Sequence, residues 1–335
     1  MPEHFLYLPA RDRRDIFLSA VGELGKPMAL LEKDVWVCWV LQTLFSLPNA
    51  HPMAFKGGTS LSKILGAINR FSEDVDVTLD YREFEDGFDP FAEGASRTAI
   101  KKFGERLKGY VRDYAHDVIV PHVRSKLEEL PEPEESMLEL SDDGEKIRVR
   151  YPSVTKSGND YLTNDILIEL GGRNVICPNE RHVVKSDISM LDVDLVFPSG
   201  SVVVLSPERT FWEKATLIHV ECHRKEFKSD ANRLSRHWYD LWMLAKHDVG
   251  KAAIKNYNLL EDVVRHKRIF YHYGFVDYND CLDNRLCLVP EETATILLQE
   301  DYQKMLDNGM IYGDPPSFGD IIEGIRDIER EANNR

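Results

Sequence analysis

Apolar residues recur at helical spacing near the amino terminus. Leu30, Leu31, Val35, Trp36, Cys38, Trp39, Leu41 and Leu44 form a broad stripe that predicts a largely helical segment from Arg11 to Leu47, ended by Pro48-Asn49. The period then changes. Met53 to Phe55 predicts a short strand, and Asp74 to Leu79 alternates polar and apolar residues as a second strand would. Thr98 to Val118 returns to helical spacing. Glu128 to Glu145 is acidic around Pro131 and Pro133 and predicts an exposed, mobile connection. Lys146 to Val154 alternates again, and Asp165 to Leu170 is apolar on both faces, so it predicts a central strand closed by Gly171-Gly172. Leu191 to Phe197 and Val202 to Leu205 complete the strands.

From Ser206 onward the pattern is helical. Ser206 is a good N-cap, Pro207 suits the first helical position, and Phe211, Ala215, Ile218 and Cys222 mark a core face. Further helices are predicted over Ser235 to Lys246, Leu259 to Tyr271, Glu291 to Leu306 and Phe318 to Ala332. The class is therefore α+β, with a strand-bearing first domain over 1–205 and a helical second domain over 206–335.

Candidate chemistry lies where the first two strands meet. Phe55-Lys-Gly-Gly-Thr-Ser-Leu-Ser-Lys leads through a short helical stretch to Arg70-Phe-Ser-Glu-Asp-Val-Asp. Gly57 and Gly58 let backbone N–H groups approach phosphate oxygens, and Thr59 and Ser60 open the helix that follows. Asp74 and Asp76 are two positions apart on a strand and share a face, which suits a hard divalent cation. Gly-Gly also occurs in ordinary turns, and paired aspartates on a solvated strand edge; their order along the chain carries the functional reading.

Composition narrows the class without naming it. A chain of 335 residues with 43% hydrophobic and 30% charged content is that of a soluble globular protein. The longest apolar stretch, Val35 to Leu47, is interrupted by Gln42 and too short to span a membrane. Met-Pro-Glu-His-Phe-Leu lacks a signal-peptide pattern, so a cytoplasmic location is expected. Five cysteines without C-x-x-C spacing argue against a disulfide framework. His219, Cys222 and His223 lie at metal-ligand spacing, yet a four-ligand zinc set has no obvious partners elsewhere.

A net charge of −15 disfavours general nucleic-acid binding, so the distribution of cations matters more than their sum. One basic set, Lys101, Lys102, Arg106, Lys108 and Arg112, suits a solvated helix face. The other, Arg224, Lys225, Lys228, Arg233 and Arg236, is the preferred place for a polyanion. Single residues stay open on their own evidence. Glu169 needs a partner, either Arg148, Arg150 or Arg173, or a metal shared with Asp74 and Asp76. Lys63 is either a surface lysine or a contact to outer phosphates. Lys214 is either a snorkelling lysine or functional, and Asp240 either pairs with Arg236 or is functional. Asp192 and Asp194 repeat the Asp-x-Asp pattern without a preceding glycine turn and are taken as ordinary strand.

Five segments in order resemble the AbiEii/AbiGii family of nucleotidyltransferase-like toxins: Glu32-Lys-Asp-Val-Trp-Val-Cys-Trp-Val-Leu, the glycine and Asp-x-Asp segments above, Ser206-Pro-Glu-Arg-Thr-Phe-Trp-Glu-Lys-Ala-Thr and Arg236-His-Trp-Tyr-Asp-Leu. The resemblance runs from near residue 30 to near residue 250. It implies a DNA polymerase β-like nucleotidyltransferase fold with a mixed sheet and a helical carboxy-terminal part. It implies a toxin of a bacterial toxin–antitoxin or phage-defence locus, with a possible cognate antitoxin, transferring NMP from NTP to an RNA acceptor such as the tRNA 3′ end. By position, Gly57, Gly58, Thr59 and Ser60 would line a phosphate cradle that Ser72 supports, and Asp74, Asp76 and less closely Glu169 would hold Mg²⁺ or Mn²⁺. Lys214 would bind triphosphate and Asp240 would complete catalysis. Two other functions remain: transfer to a small molecule or protein, and a catalytically silent NTP-binding regulator acting through a partner.

Overall fold

The computed structural model describes residues 3–84, 86–131, 138–155, 163–191, 194–225 and 233–334. Asp192 and Lys228 lie outside the described residues, as does part of the acidic connection. The chain forms two compact units. The first comprises 1–64, 73–87 and 103–204; the second comprises 65–72, 88–102 and 205–335. The second unit thus takes the chain from Leu205 onward together with two short pieces of the amino-terminal half.

In the first unit, the strands are β1 (Glu3–His4), β2 (Met53–Lys56), β3 (Val75–Asp80), β4 (Leu138–Leu140), β5 (Lys146–Arg150), β6 (Asp165–Asn174), β7 (Asn179–Lys185), β8 (Leu195–Val196) and β9 (Ser199–Leu205). Among the described residues, β1 and β8 form a parallel pair, and the other seven form one sheet in the order β4-β5-β6-β3-β2-β9-β7. The sheet is mixed: β3 runs antiparallel to β2 and parallel to β6, while β5 runs antiparallel to β6.

The helices of this unit explain the sheet's buried side. α1 (Ala10–Leu24) and α2 (Met28–Phe45) replace the single expected helical segment, because Gly25-Lys26-Pro27 breaks it. α2 packs against β6 and β7. Its core residues Val35, Trp36 and Leu41 meet Val75, Val77 and Leu79 of β3 and Ile166 and Ile168 of β6 in one apolar cluster. α3 (Gly57–Lys63) joins β2 to the segment before β3. α4 (Arg97–Tyr114), whose residues 97–102 are counted with the second unit, continues through a π-helical turn at Ala115–Ile119 into α5 (Val120–Glu128).

β6 does not stop at Gly171-Gly172. A Cβ on Gly172 would fall 2.3 Å from Val111 Cγ2 of α4, so this glycine is a point of close helix approach within a strand and not its end. The strands at 138–140 and 179–185 were not expected. The first lies inside the acidic connection, where Leu138 and Leu140 alternate around Glu139.

The second unit contains α6 (Pro207–Cys222), α7 (Ser235–Lys246), α8 (Asp248–Lys255), α9 (Tyr257–Phe270), α10 (Glu292–Asp307) and α11 (Phe318–Asn333). α6 starts as its sequence requires: Ser206 Oγ accepts from Arg209 N at 3.1 Å and Pro207 occupies the first turn. α11 has a capping box between Ser317 and Asp320. α7 is the central helix, packed on α6, α8, α10 and α11. Trp212 and Trp238 are fully buried and satisfy their indole N–H groups on Ala253 O and Leu288 O, each at 3.0 Å. α8 was not expected as a separate helix. The observed mixed sheet followed by a helical carboxy-terminal part agrees with the α+β class.

Candidate active site

Strand register builds the site of the first unit. Lys56 on β2, Asp76 on β3, Glu169 on β6 and Lys146 on β5 are successive register partners, so four charged residues form one row across four strands. Their neighbours Val75, Val77, Ile166, Ile168, Ile147 and Val149 alternate to the opposite face and are buried in the core. Asp74 immediately precedes β3 and is half-buried, as is Asp76.

The glycine turn and the aspartate pair interlock. Gly57 has φ +80°, and a Cβ added there would lie 2.0 Å from Asp76 Oδ2. Only glycine leaves room for the Asp76 carboxylate to lie against this turn. Thr59 and Ser60 are buried and act locally: Thr59 Oγ1 donates to Asp74 O at 2.6 Å, and Ser60 Oγ donates to Gly57 O at 2.9 Å. Thr59 therefore ties the turn to the residue before β3, and Ser60 braces the turn itself. Gly58 is buried in the same helical turn.

Glu169 takes none of the three expected arginines as its ion-pair partner. Lys146 Nζ meets Glu169 Oε1 at 2.9 Å, with the carboxylate still 37% exposed, so it remains within reach of solvent and ligands. Lys63 is neither on the surface nor open to phosphate. It is a buried ammonium between Asp34 and Asp187, 2.7 Å from Asp187 Oδ1, and Asp187 also accepts from Lys26. Burial disfavours the Lys63 cation, but Asp34 and Asp187 outweigh it and raise the pKa above the ordinary lysine value.

Three charged residues in the first turns of α2 anchor this arrangement, and sequence reasoning assigned them no role. Glu32, Lys33 and Asp34 are all buried. Glu32 accepts from Ser153 Oγ, Val154 N and Thr155 Oγ1 at 2.5 to 2.7 Å. Lys33 Nζ pairs with Glu73 Oε2 at 2.6 Å and donates to Thr163 O at 2.9 Å, fixing the residue just before Asp74. Asp34 receives Lys63 at the end of α3 and Asp187 N at 2.7 Å. The signal was three consecutive charges inside an apolar helix, which burial permits only when each is paired.

In the second unit, Arg70, Lys214 and Asp240 form a buried ionic group. Arg70 Nε donates to Asp240 Oδ1 at 2.6 Å and Nη2 to Oδ2 at 2.8 Å, while Lys214 Nζ meets Oδ2 at 2.8 Å. Burial alone would raise the Asp240 pKa; Arg70 and then Lys214 reverse this and hold it well below the usual carboxylate range. Burial lowers the Lys214 pKa despite Asp240, because one carboxylate serves two cations. Burial, with Lys214 nearby, also pushes the His237 imidazole well below its ordinary value. The snorkelling alternative for Lys214 is thereby replaced, and the partners Asp240 takes are Arg70 and Lys214. Ser72, half-buried, belongs to the short piece of this unit that carries Arg70.

The expected basic set is only partly available. Arg224 is paired with Glu221 at 2.9 Å and lies 5.3 Å from the Phe275 ring centroid. Arg233 N donates to Asp301 at 2.7 Å, Arg236 is half-buried in α7, and Lys225 is exposed. The His219 and His223 pair gains Asp280, with ligand atoms within 4.8 Å of one another. The hydrogen bonding does not suit a metal: His219 Nδ1 accepts from Cys287 N at 3.0 Å, which leaves the proton of the neutral ring on Nε2. Asp280 is taken by Arg285 at 2.6 and 2.8 Å.

The first unit thus sets a glycine turn against an Asp-x-Asp strand within a mixed sheet. The chain belongs to the AbiEii family: the family described as "Nucleotidyl transferase AbiEii toxin, Type IV TA system" matches residues 39–324. It is thus a nucleotidyltransferase of a toxin–antitoxin family. No curated protein sequence matches the chain. Among solved structures, the chain is similar to MenT4, a nucleotidyltransferase toxin from Mycobacterium tuberculosis H37Rv, with 16% identity and a TM-score of 0.49 over 98% of this chain and 90% of that one. No helix among the described residues is long and apolar enough to cross a membrane.

Proposed function

We propose that the protein transfers a nucleotide from an NTP to the hydroxyl of an RNA acceptor such as the tRNA 3′ end, with a divalent cation held by Asp74, Asp76 and Glu169. The observation that carries this reading is the contact of Gly57 with Asp76, because it sets a phosphate-approachable backbone turn against a carboxylate. The donor set fits a hard cation: the carboxylates of Asp76 and Glu169 are adjacent in register, Asp74 precedes on the same side, and Glu169 already attracts the ammonium of Lys146. Mg²⁺ or Mn²⁺ bound there supplies charge neutralisation for phosphoryl transfer.

The acceptor hydroxyl attacks the α-phosphorus, its proton leaves to solvent or base, and the bond to pyrophosphate breaks. Gly57 and Gly58 allow the leaving phosphates close to the backbone. Thr59 and Ser60 keep the turn rigid, and Lys33, through Glu73, fixes the approach to Asp74. Positioning and electrostatics supply most of the acceleration in such reactions. In the second unit, Arg70 and Lys214 share Asp240, a buried group of net charge +1, chemistry that suits an anionic partner such as a triphosphate.

The test is incubation with each labelled NTP, Mg²⁺ or Mn²⁺ and total cell RNA. Label in RNA that disappears in Asp76→Ala is the expected result. Label on protein or on a small molecule would replace the RNA acceptor, and no label under any condition would favour a catalytically silent regulator.

A further inference from the structure

The second unit contains a cavity of about 270 Å³ whose lining includes none of the residues assigned to the proposed transfer. Three arginines line it, Arg97 at the start of α4 and Arg265 and Arg268 near the end of α9, over an apolar floor that includes Phe91, Ile100 and Ile269. All three arginines are exposed, and among the described residues none forms an ion pair with a carboxylate. In a chain of net charge −15 this concentration of three exposed arginines is a local exception that attracts anions.

The arginines are pre-arranged. Arg97 Nη1 donates to Arg268 O at 2.9 Å, and the Arg265 guanidinium stands 4.4 Å from the Phe91 ring centroid. The Phe91 ring is itself braced by Phe270 and His266. A guanidinium stacked on a ring keeps its planar fork directed outward and offers its other face to a second planar group. The walls are helices and the turn before α4, so no open strand edge is present to pair with a peptide backbone, and recognition falls to side chains.

We propose that this cavity binds a single-stranded RNA segment, the arginines taking phosphates and the floor taking one base. This rests on the reading that the acceptor is RNA. The volume accommodates one nucleotide, and cations around an apolar floor are the means by which single strands are held without sequence preference.

The experiment measures anisotropy of a labelled oligoadenylate of about eight nucleotides, without NTP or metal, over a range of salt. A variant combining Arg97→Ala, Arg265→Ala and Arg268→Ala should bind about ten-fold more weakly, and its salt slope should fall by about 2, from roughly 0.7 per lost phosphate contact. The corresponding triple Lys variant should keep the slope and lose affinity, since charge remains while the fork and stacking do not. Unchanged affinity and slope in the Ala variant, or no binding by the parent protein, would overturn the proposal. So would displacement of a labelled poly-glutamate peptide from the cavity with RNA binding unaffected. Cavity-dependent RNA binding with no label transferred to RNA would keep the cavity and remove the RNA acceptor; transfer to RNA with undiminished binding by the Ala variant would do the reverse.

Discussion

Asp240 receives Arg70 through both carboxylate oxygens, at 2.6 and 2.8 Å, although the two residues are 170 positions apart in the chain. With Lys214 on Oδ2 as well, the carboxylate is saturated by donors and its pKa is depressed, so it is poorly suited to accept a proton. It holds two buried cations in place.

Asp240→Ala should therefore destabilise the protein by about 3–5 kcal/mol, because it strands two buried cations. Asp74→Ala and Asp76→Ala, at half-buried positions, should change stability by about 1 kcal/mol or less while abolishing transfer. Urea denaturation of the three variants beside their turnover separates the two behaviours. Equal stability of Asp240→Ala and Asp74→Ala would contradict the account of Asp240.

Gly57→Ala places a methyl group on the Asp76 carboxylate at a positive φ. The aspartate side chain can swing aside, so activity should fall by at least about ten-fold while stability falls by only about 1–2 kcal/mol. Gly58→Ala provides the comparison, and a larger loss of activity there would move the critical contact away from Asp76.

Strong expression in bacteria should arrest growth, as membership of a toxin family leads one to expect, and Asp74→Ala should relieve the arrest. Arrest by both proteins at matched levels would point to a binding mechanism.

Lys146 and Glu169 make competing claims on one carboxylate. Their pair is solvent-exposed and contributes at most about 1 kcal/mol. Lys146→Ala should leave the metal concentration for half-maximal transfer unchanged or lower it, and Glu169→Gln should raise it. A metal titration unaffected by Glu169→Gln would confine Glu169 to the ion pair.

Burial, with His223 beside it, pushes the His219 imidazole down to about 4 from its ordinary 6.5. The unfolded chain binds the proton first as pH falls, so folding stability is present above pH 6.5 and is lost progressively towards pH 4, on the order of 3 kcal/mol from this group. His219→Gln keeps an acceptor for Cys287 N and should flatten the loss between pH 6.5 and 4, leaving the part due to buried His237. An unchanged pH profile of urea midpoints would show that His219 does not titrate in this way.

What was legible in the sequence was local. The strand, glycine turn, helix and Asp-x-Asp strand follow one another within 30 residues, and periodicity 2 fixes which face each aspartate shares. Ser206-Pro207 likewise declared the start of α6 by itself. Partners across long separations were not legible: Lys33 meets Glu73 40 residues away, and Glu32 meets residues 153–155, because strand register and helix docking decide those distances. Gly171-Gly172 misled for the same reason. Its meaning depends on Val111 in a helix some 60 positions earlier, and local turn usage could not show it.

The second unit recruits residues 65–72 and 88–102 long before it recruits anything else. On the ribosome, Arg70 leaves the exit tunnel while its carboxylate has yet to be translated, and the helix bearing Lys214 follows much later. The unit's ionic centre can close only after codon 240 has been read, so every shorter nascent chain or prematurely terminated product carries the glycine turn and Asp-x-Asp strand while the second unit is still unfinished.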